Sequence, residues 1–156
     1  MADQTQYVTL GAADSLFAVP VERVQQILET QPIAAMPHAP ADFLGMIDVR
    51  GQSVPVMDLR KRLALPAAED SHSTRIMVLD ARVGEAPRRI GLKTDRVFEV
   101  TALDADTMEA PPDLGASWRT EFVAGVGRRN GAFVTVLDLD RLFAAADLPA
   151  ASGVAA

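Results

Sequence analysis

An internal repeat constrains the fold of this 156-residue chain more than any other feature of its sequence. Residues 45–59 align with residues 125–139 without a gap, at a constant offset of 80. The shared residues are Gly45, Gly51, Val54, Val56, Asp58 and Leu59, which fall on Gly125, Gly131, Val134, Val136, Asp138 and Leu139. Upstream, residues 22–27 match residues 95–100 at an offset of 73. Similar elements that occur twice in the same order predict two related β units, 6–66 and 74–146. The alternative is that any glycine hairpin followed by a capped helix gives the same pattern.

Strands dominate each of the two units. Short apolar runs separated by glycine-containing turns predict hairpins, and Asn130-Gly131 is the strongest two-residue turn signal because both of its positions favour positive φ. Asp58 and Asp138 are each placed to cap a following helix, the second ending near Ala146. The predicted strands are Tyr7–Leu10, Leu16–Val19, Met46–Arg50, Val54–Met57, Arg75–Asp80, Arg89–Lys93, Val97–Thr101, Phe122–Arg129 and Ala132–Leu137.

One segment of the first unit has helical spacing. Proline at position 20 is followed by apolar residues three and four positions apart, at Val21, Val24, Ile27 and Leu28. Proline in a first turn together with that spacing predicts a short amphipathic helix. Because such a helix has one buried stripe in any case, the spacing alone favours core packing for these residues over contact with a partner.

Three other segments carry proline or small residues that bear on the fold. Pro55 lies inside a strand pattern and predicts an edge or a bulge. The stretch Ala102–Ser117 holds Pro111-Pro112 and is expected to leave the packed structure. The alanine- and glycine-rich end, Pro149–Ala156, is expected to fray.

Composition excludes several classes of function. The net charge of −6 and the isoelectric point of about 4.8 argue against nucleic acid or an anionic membrane as the main partner. Cysteine is absent, which excludes disulfides, thiolate metal sites and a cysteine nucleophile. No apolar run approaches the roughly 18 residues that span a bilayer, and the first residues lack the pattern of a signal peptide. We therefore expect a soluble, cytoplasmic protein.

The sequence offers little enzyme chemistry. His38 and His72 have no partner at metal-ligand spacing, and no nucleophile-elbow, Walker or dinucleotide motif occurs. The carboxylates of Asp58, Asp138 and Asp140 are explained by helix capping. We expect no catalysis, cofactor or metal. A small β-barrel hydrolase or transferase with spatially assembled groups is the alternative from another class.

Two basic features have both a structural and a functional interpretation. The cluster Arg60-Lys61-Arg62 is either a solvated face or a contact for an acidic partner. Arg50 ends a strand immediately before a turn glycine, where it either bridges backbone carbonyls or contacts a partner.

Five segments of the chain together have a recognisable pattern: Phe17–Leu28, Phe43–Arg60, Gly91–Val100, Phe122–Val126 and Val136–Phe143. The central run, with Val49-Arg50-Gly51 followed by a Pro-Val-Met-Asp-Leu-Arg sequence, is the most specific of them. In this order, over residues 6–146, the segments resemble the CheW coupling-protein family.

The resemblance implies a mainly β fold with two SH3-like five-stranded barrels packed together, and short helices including a C-terminal one. It implies a single domain over 6–146 with a flexible tail at 147–156. It also implies a non-enzymatic adaptor that links chemoreceptor cytoplasmic tips to the histidine kinase CheA, with other copies of the chain as further partners in array rings. Neither nucleic acid nor membrane insertion is expected. A paralogue serving pilus motility or second-messenger control is the alternative.

In the family, an apolar groove between the barrels receives the receptor's helical hairpin. Carried over by motif, the groove and the signature arginine fall on Val8, Val21, Val24, Ile27, Val97 and Arg50. The resemblance thus reverses the expectation of core packing for Val24 and Ile27. The chain departs from the family pattern at Gln26, where relatives often have Glu, and at Lys93, which interrupts an apolar pair.

Overall fold

The computed structural model describes residues 5–37, 42–83, 86–104, 108–110 and 122–144. Over these residues the chain forms ten strands, two short α-helices and one 3₁₀ turn at Val21–Arg23. The strands are β1 (Tyr7–Ala12), β2 (Ser15–Pro20), β3 (Val24–Glu29), β4 (Phe43–Val49), β5 (Gln52–Asp58), β6 (Arg75–Val83), β7 (Ala86–Thr94), β8 (Arg96–Thr101), β9 (Val123–Arg129) and β10 (Ala132–Leu137). The helices are α1 (Leu59–Arg62) and α2 (Leu139–Ala144).

The strands form two five-stranded sheets, which confirms the predicted mainly β class. The first sheet has the order β8-β1-β2-β10-β9, and the second has the order β3-β6-β7-β5-β4. Neighbours pair antiparallel except β2 with β10 and β5 with β7, which pair parallel. Each sheet therefore contains strands from both halves of the chain, because the two repeats exchange their first hairpins. Units 6–66 and 74–146 do not each build one sheet.

The backbone follows the internal repeat closely. Strands β4 and β9 have bounds that differ by the sequence offset of 80. Both hairpins turn through two residues with positive φ: Arg50 (52°) and Gly51 (84°) in one, Asn130 (53°) and Gly131 (82°) in the other. Two such residues match the right-handed twist of the flanking strands. The repeat thus extends to turn geometry.

The predicted helix caps are confirmed in both halves. An oxygen of the Asp58 carboxylate accepts the Arg60 N–H at 2.9 Å, and an oxygen of Asp138 accepts the Arg141 N–H at 3.1 Å. Each cap satisfies an N–H that has no partner within its own helix.

One short bridge joins opposite edges of each sheet. Ala34, beyond edge strand β3, exchanges two backbone hydrogen bonds of 2.9 Å with Met46 of the other edge strand, β4. Glu109, beyond β8, makes the corresponding pair with Val126 of β9, at 2.9 and 2.8 Å. These bridges remove sheet edges, which is consistent with two small barrels.

A central core lies between the two sheets. Side chains alternate along each strand, so Met77 and Leu79 of β6 face this core while Ile76 and Val78 face the interior of the second sheet. The first sheet contributes Val8, Leu10 and Val19 among others. Burial on both faces explains why β6 is apolar without alternation.

The predicted helix over residues 21–28 is wrong. The segment is a 3₁₀ turn followed by strand β3. Strand β5, which holds Pro55, is internal rather than an edge strand, but β7 pairs with it only from Val56 onward, so one side of Pro55 has no ladder partner. His38, most of the Ala102–Ser117 excursion, the end of the last helix and the tail 147–156 lie outside the described residues.

We predict that Gly45→Ala destabilises the fold strongly. A Cβ on Gly45 would lie 2.1 Å from the Ala34 carbonyl oxygen, at a φ of +144°, so the substitution adds a clash with the closing bridge to a strained backbone. The expected loss in unfolding free energy is about 3 kcal/mol or more, measured by urea denaturation.

Gly51→Ala is the control for this prediction, since its φ is also positive but nothing lies within 4 Å of the added Cβ. It is expected to cost only roughly 1–2 kcal/mol. Equal losses for the two variants would show that the bridge does not restrict position 45.

Candidate partner-binding surface

A β-bulge explains the helical spacing of the predicted groove residues. In β3, Val24 lies opposite Leu79 and Ile27 lies opposite Met77. A step of three residues along β3 therefore corresponds to a step of two residues along β6. Directly opposed residues point to the same face of a sheet, and Leu79 and Met77 face the central core. The extra residue therefore brings Val24 and Ile27 to one face, although they are three apart.

Strand β8 repeats this arrangement in the other sheet. Val97 lies opposite Leu10 and Val100 lies opposite Val8, so a step of three residues along β8 again corresponds to a step of two residues along β1. Val97 and Val100 are the counterparts of Val24 and Ile27 at the offset of 73. The edge strands of both sheets thus present a matched pair of aliphatic side chains toward the central core.

The aliphatic side chains of β3, β8 and the turn before β3 divide into packed and exposed members. Val21, Val24 and Val97 are partly buried against the central core. Ile27 is 41% exposed and Val100 is 55% exposed. We call the set Val21, Val24, Ile27, Val97 and Val100 the seam surface.

The aliphatic residues of the seam surface differ from those implied by the family resemblance at two positions, Val8 and Val100. Val8 is 1% exposed, belongs to the central core and lies opposite Val100 in the pairing of β1 with β8. Val100 was not among the expected residues. The offset of 73, which maps Ile27 onto Val100, was the sequence signal that could have found it.

An ion pair fixes the start of β3. Arg23, in the 3₁₀ turn between Val21 and Val24, donates two hydrogen bonds to the Asp140 carboxylate, at 3.0 and 3.2 Å, and one to the Asp80 carbonyl at 3.1 Å. The Arg82 N–H also donates to Asp140 at 2.9 Å. The hydrogen bonds from Arg23 lower the pKa of Asp140.

A second ion pair fixes the start of β8 with the charges exchanged. Arg60 of α1 donates to both oxygens of Asp95, at 2.9, 3.1 and 2.6 Å, immediately before the strand that carries Val97 and Val100. The Ala13 N–H donates to the same carboxylate at 2.8 Å. These hydrogen bonds, with Arg60 as the largest cause, lower the pKa of Asp95.

In the basic cluster at residues 60–62, Arg60 and Arg62 have structural roles that the sequence did not predict, whereas Lys61 is exposed. Arg62 is 6% exposed; its side chain pairs with Asp42 at 3.0 Å and donates to the Leu142 carbonyl at 2.8 Å. Its guanidinium also lies over the Phe122 ring at 4.5 Å. Asp42 and Phe122 are related by the offset of 80, as are Arg62 and Leu142, so Arg62 lies where the two repeats meet.

Arg50 lies apart from the seam surface. It lines an open polar cleft of about 260 Å³ at one end of the second sheet, where Gln26 faces away from Val24 and Ile27. The cleft is lined by Gln25, Gln26, Val49, Arg50, Gln52, Val78 and Arg89. Within the described residues, Arg50 makes no hydrogen bond or ion pair, so the carbonyl-bridging interpretation has no support.

Comparison with known proteins identifies the family. The family model described as CheW-like domain matches residues 6–147. The chain belongs to the CheW-like family. It is 30% identical over 146 residues to the chemotaxis protein CheW of Rhizobium meliloti (strain 1021), covering 94% of this chain and 92% of the relative. It is 26% identical over 150 residues to the chemotaxis protein CheW of Treponema pallidum (strain Nichols), covering 94% and 86%.

A solved structure supports the same membership in CheW-like proteins. The crystal structure of the scaffolding protein TtCheW from Thermoanaerobacter tengcongensis superposes with a TM-score of 0.80, at 26% sequence identity. The match covers 92% of this chain and 90% of that chain. The two-sheet architecture is therefore that of a CheW structure.

The described residues hold no group of three or more His, Cys, Asp or Glu side chains placed to bind a metal ion. In the same residues, no helix is long and apolar enough to cross a membrane. The departure at Lys93 is accommodated by an ion pair with Asp70.

We predict that acid weakens the fold through Asp95 and Asp140. Their folded-state pKa values lie below those of the unfolded chain, so each carboxylate contributes stability above its unfolded pKa and loses it as pH falls through the folded value. Unfolding free energy should therefore decrease between about pH 5 and pH 3. Urea denaturation of Asp95→Asn and Asp140→Asn should show a smaller decrease than the parent chain.

Glu29→Gln removes an exposed carboxylate from the end of β3 and is the control for these variants. It should keep the parent's acid dependence. If the Asn variants kept it as well, the two ion pairs would not be the source of the acid dependence.

Proposed function

We propose that this chain is a non-enzymatic adaptor of bacterial chemosensory signalling, which couples chemoreceptor cytoplasmic tips to the histidine kinase CheA. The observation that carries the proposal is the seam surface, an exposed aliphatic surface at equivalent positions of two sheets, in a chain of the CheW-like family. The names of its relatives, chemotaxis protein CheW and a scaffolding protein, support the assignment.

The geometry of the seam surface suits a helical hairpin. Ile27 and Val100 stand in the same relation to their sheets, so a partner with two adjacent amphipathic helices would meet equivalent side chains from β3 and β8. Apolar helix faces dock in such positions through regularly spaced anchors. Arg23 and Arg60 hold the two strands by ion pairs, which limits the ordering cost on binding.

The proposed partners follow from this role. The receptor hairpin binds the seam surface, the regulatory domain of CheA binds elsewhere on the chain, and further copies of the chain add contacts in array rings. The protein would act in the cytoplasm and reach the membrane through its receptors. Weak individual contacts suffice in an array because linked binding sites raise the effective concentration.

A paralogue serving pilus motility or second-messenger control is the second candidate. The observation in its favour is a match to Protein FrzA of Myxococcus xanthus, 26% identical over 130 residues and covering 82% of this chain and 77% of the relative. The two candidates differ in which receptor and kinase set the chain binds. Pull-down with the receptors and kinases of each chemosensory cluster in its own genome would separate them.

We predict that Ile27→Glu abolishes coupling without unfolding the chain. Ile27 is half exposed, so a charge there is tolerated by the fold but would be buried unpaired against an apolar partner. Receptor binding should weaken about tenfold or more, as at an interface hot spot. Co-sedimentation with a receptor cytoplasmic fragment and kinase, with kinase autophosphorylation followed in parallel, measures both effects.

Phe133→Glu is the matched control, because Phe133 is 64% exposed and lies on β10 outside the seam surface. It should leave receptor binding and kinase stimulation unchanged. Thermal unfolding checks that both variants fold. Val24→Glu extends the test to a packed position, where loss of folding would mark the residue as core. Undiminished coupling by folded Ile27→Glu would contradict the proposed surface.

A further inference from the structure

The cleft at the end of the second sheet is cationic and separate from the seam surface. Among the described residues, its lining includes two arginines, Arg50 and Arg89, and three glutamines but no carboxylate. Asp48, two residues before Arg50, accepts the Gly51 N–H at 2.8 Å, and Asp80 accepts the side-chain amide of Gln25. The described lining therefore has an excess of positive charge.

The two arginines differ in how they are held. A nitrogen of the Arg89 guanidinium donates to the Gln52 side-chain oxygen at 2.7 Å, which fixes the group at the rim. Arg50 follows a buried strand and has a φ of 52°, a conformation that favours glycine or asparagine. Asn130 occupies the equivalent position of the other repeat. An arginine thus stands where the backbone favours another residue, and its guanidinium has no partner within the described residues.

The internal repeat shows what the equivalent corner of the first sheet contains. The offset of 73 maps Gln26 onto Glu99, and Glu99 pairs with Arg129 at 3.6 Å. By the offset of 80, Arg129 is equivalent to Val49, one position before Arg50. The first sheet thus has a carboxylate at the position of Gln26 and an arginine at the end of its hairpin strand, whereas the second sheet has the neutral amide of Gln26 and an arginine one position later, in the turn.

We propose that this cleft binds the carboxylate of an acidic side chain from a protein partner, with Arg50 as its ion-pair partner. Arg89 adds a second positive charge, and the amide of Gln26 supplies a neutral donor. Arginine and carboxylate form charge-assisted hydrogen bonds that are stronger than neutral ones. The assignment of this carboxylate to a protein partner rests on the adaptor function proposed above, whereas the carboxylate site itself does not.

The test uses capped peptides and the full chain. Acetyl-Ala-Glu-Ala-amide, its glutamine analogue and glutarate are titrated into the ¹⁵N-labelled protein, and side-chain signals of Gln26, Arg50 and Arg89 are followed by NMR. We expect saturable shifts with the Glu peptide, no saturable shift with the Gln peptide, and weakening of the Glu response at high salt. Arg50→Gln should weaken binding about tenfold or more.

Two further variants sharpen the result. Gln26→Glu places a carboxylate in the cleft, as the first sheet has at Glu99, and should abolish peptide binding in a chain that still folds. Lys61→Gln removes an exposed positive charge of α1 outside the cleft lining and should leave binding unchanged.

Equal shifts with the Glu and Gln peptides, or a response that survives Arg50→Gln, would overturn the carboxylate site. Tighter binding of glutarate than of the Glu peptide would overturn the protein source in favour of a small molecule. Neither outcome bears on receptor binding at the seam surface, so failure here is distinguishable from failure of the adaptor function.

Discussion

The fold depends on the central core that packs one sheet against the other. Because the repeats exchange their first hairpins, this core is built from both halves of the chain: Val8 and Leu10 face it from one sheet, and Met77 and Leu79 from the other. Burial of each such side chain is worth about 1.5–3 kcal/mol. Each half contributes three strands to one sheet and two to the other. The two sheets therefore fold as one unit.

The proposed binding surface is a continuation of this core. Val24 and Val97 pack against it, while Ile27 and Val100 extend from the same strand faces into solvent. The bulges in β3 and β8 make this possible, since an unbulged strand would turn the outer residue of each pair to the opposite face. The sequence left open whether such aliphatic residues belong to the core or face a partner. In the structure, Val24 and Val97 are packed against the core, and Ile27 and Val100 are exposed.

Local features of the sequence predicted their structures well, and non-local features did not. The Asn130-Gly131 turn and the Asp58 cap depend on neighbouring residues, and both were found as expected. The helix predicted from Val21 was wrong because a 3₁₀ turn followed by a bulged strand gives the same three-residue spacing as a helix. The hairpin exchange depends on parallel pairing between β2 and β10 and between β5 and β7, strands far apart in sequence, which no local pattern encodes. Arg62 looked like a surface residue because Asp42 and Phe122 meet it only after the repeats pack.

The proposed adaptor role requires one partner to contact equivalent side chains of both sheets. Methyl NMR of the full chain, titrated with a receptor cytoplasmic hairpin fragment, measures this contact. We expect perturbation of Ile27 and Val24 on β3 together with Val97 and Val100 on β8, at the same receptor concentration. Perturbation confined to one sheet, with the methyl groups of the other strand unchanged at saturation, would show that the partner does not contact both sheets.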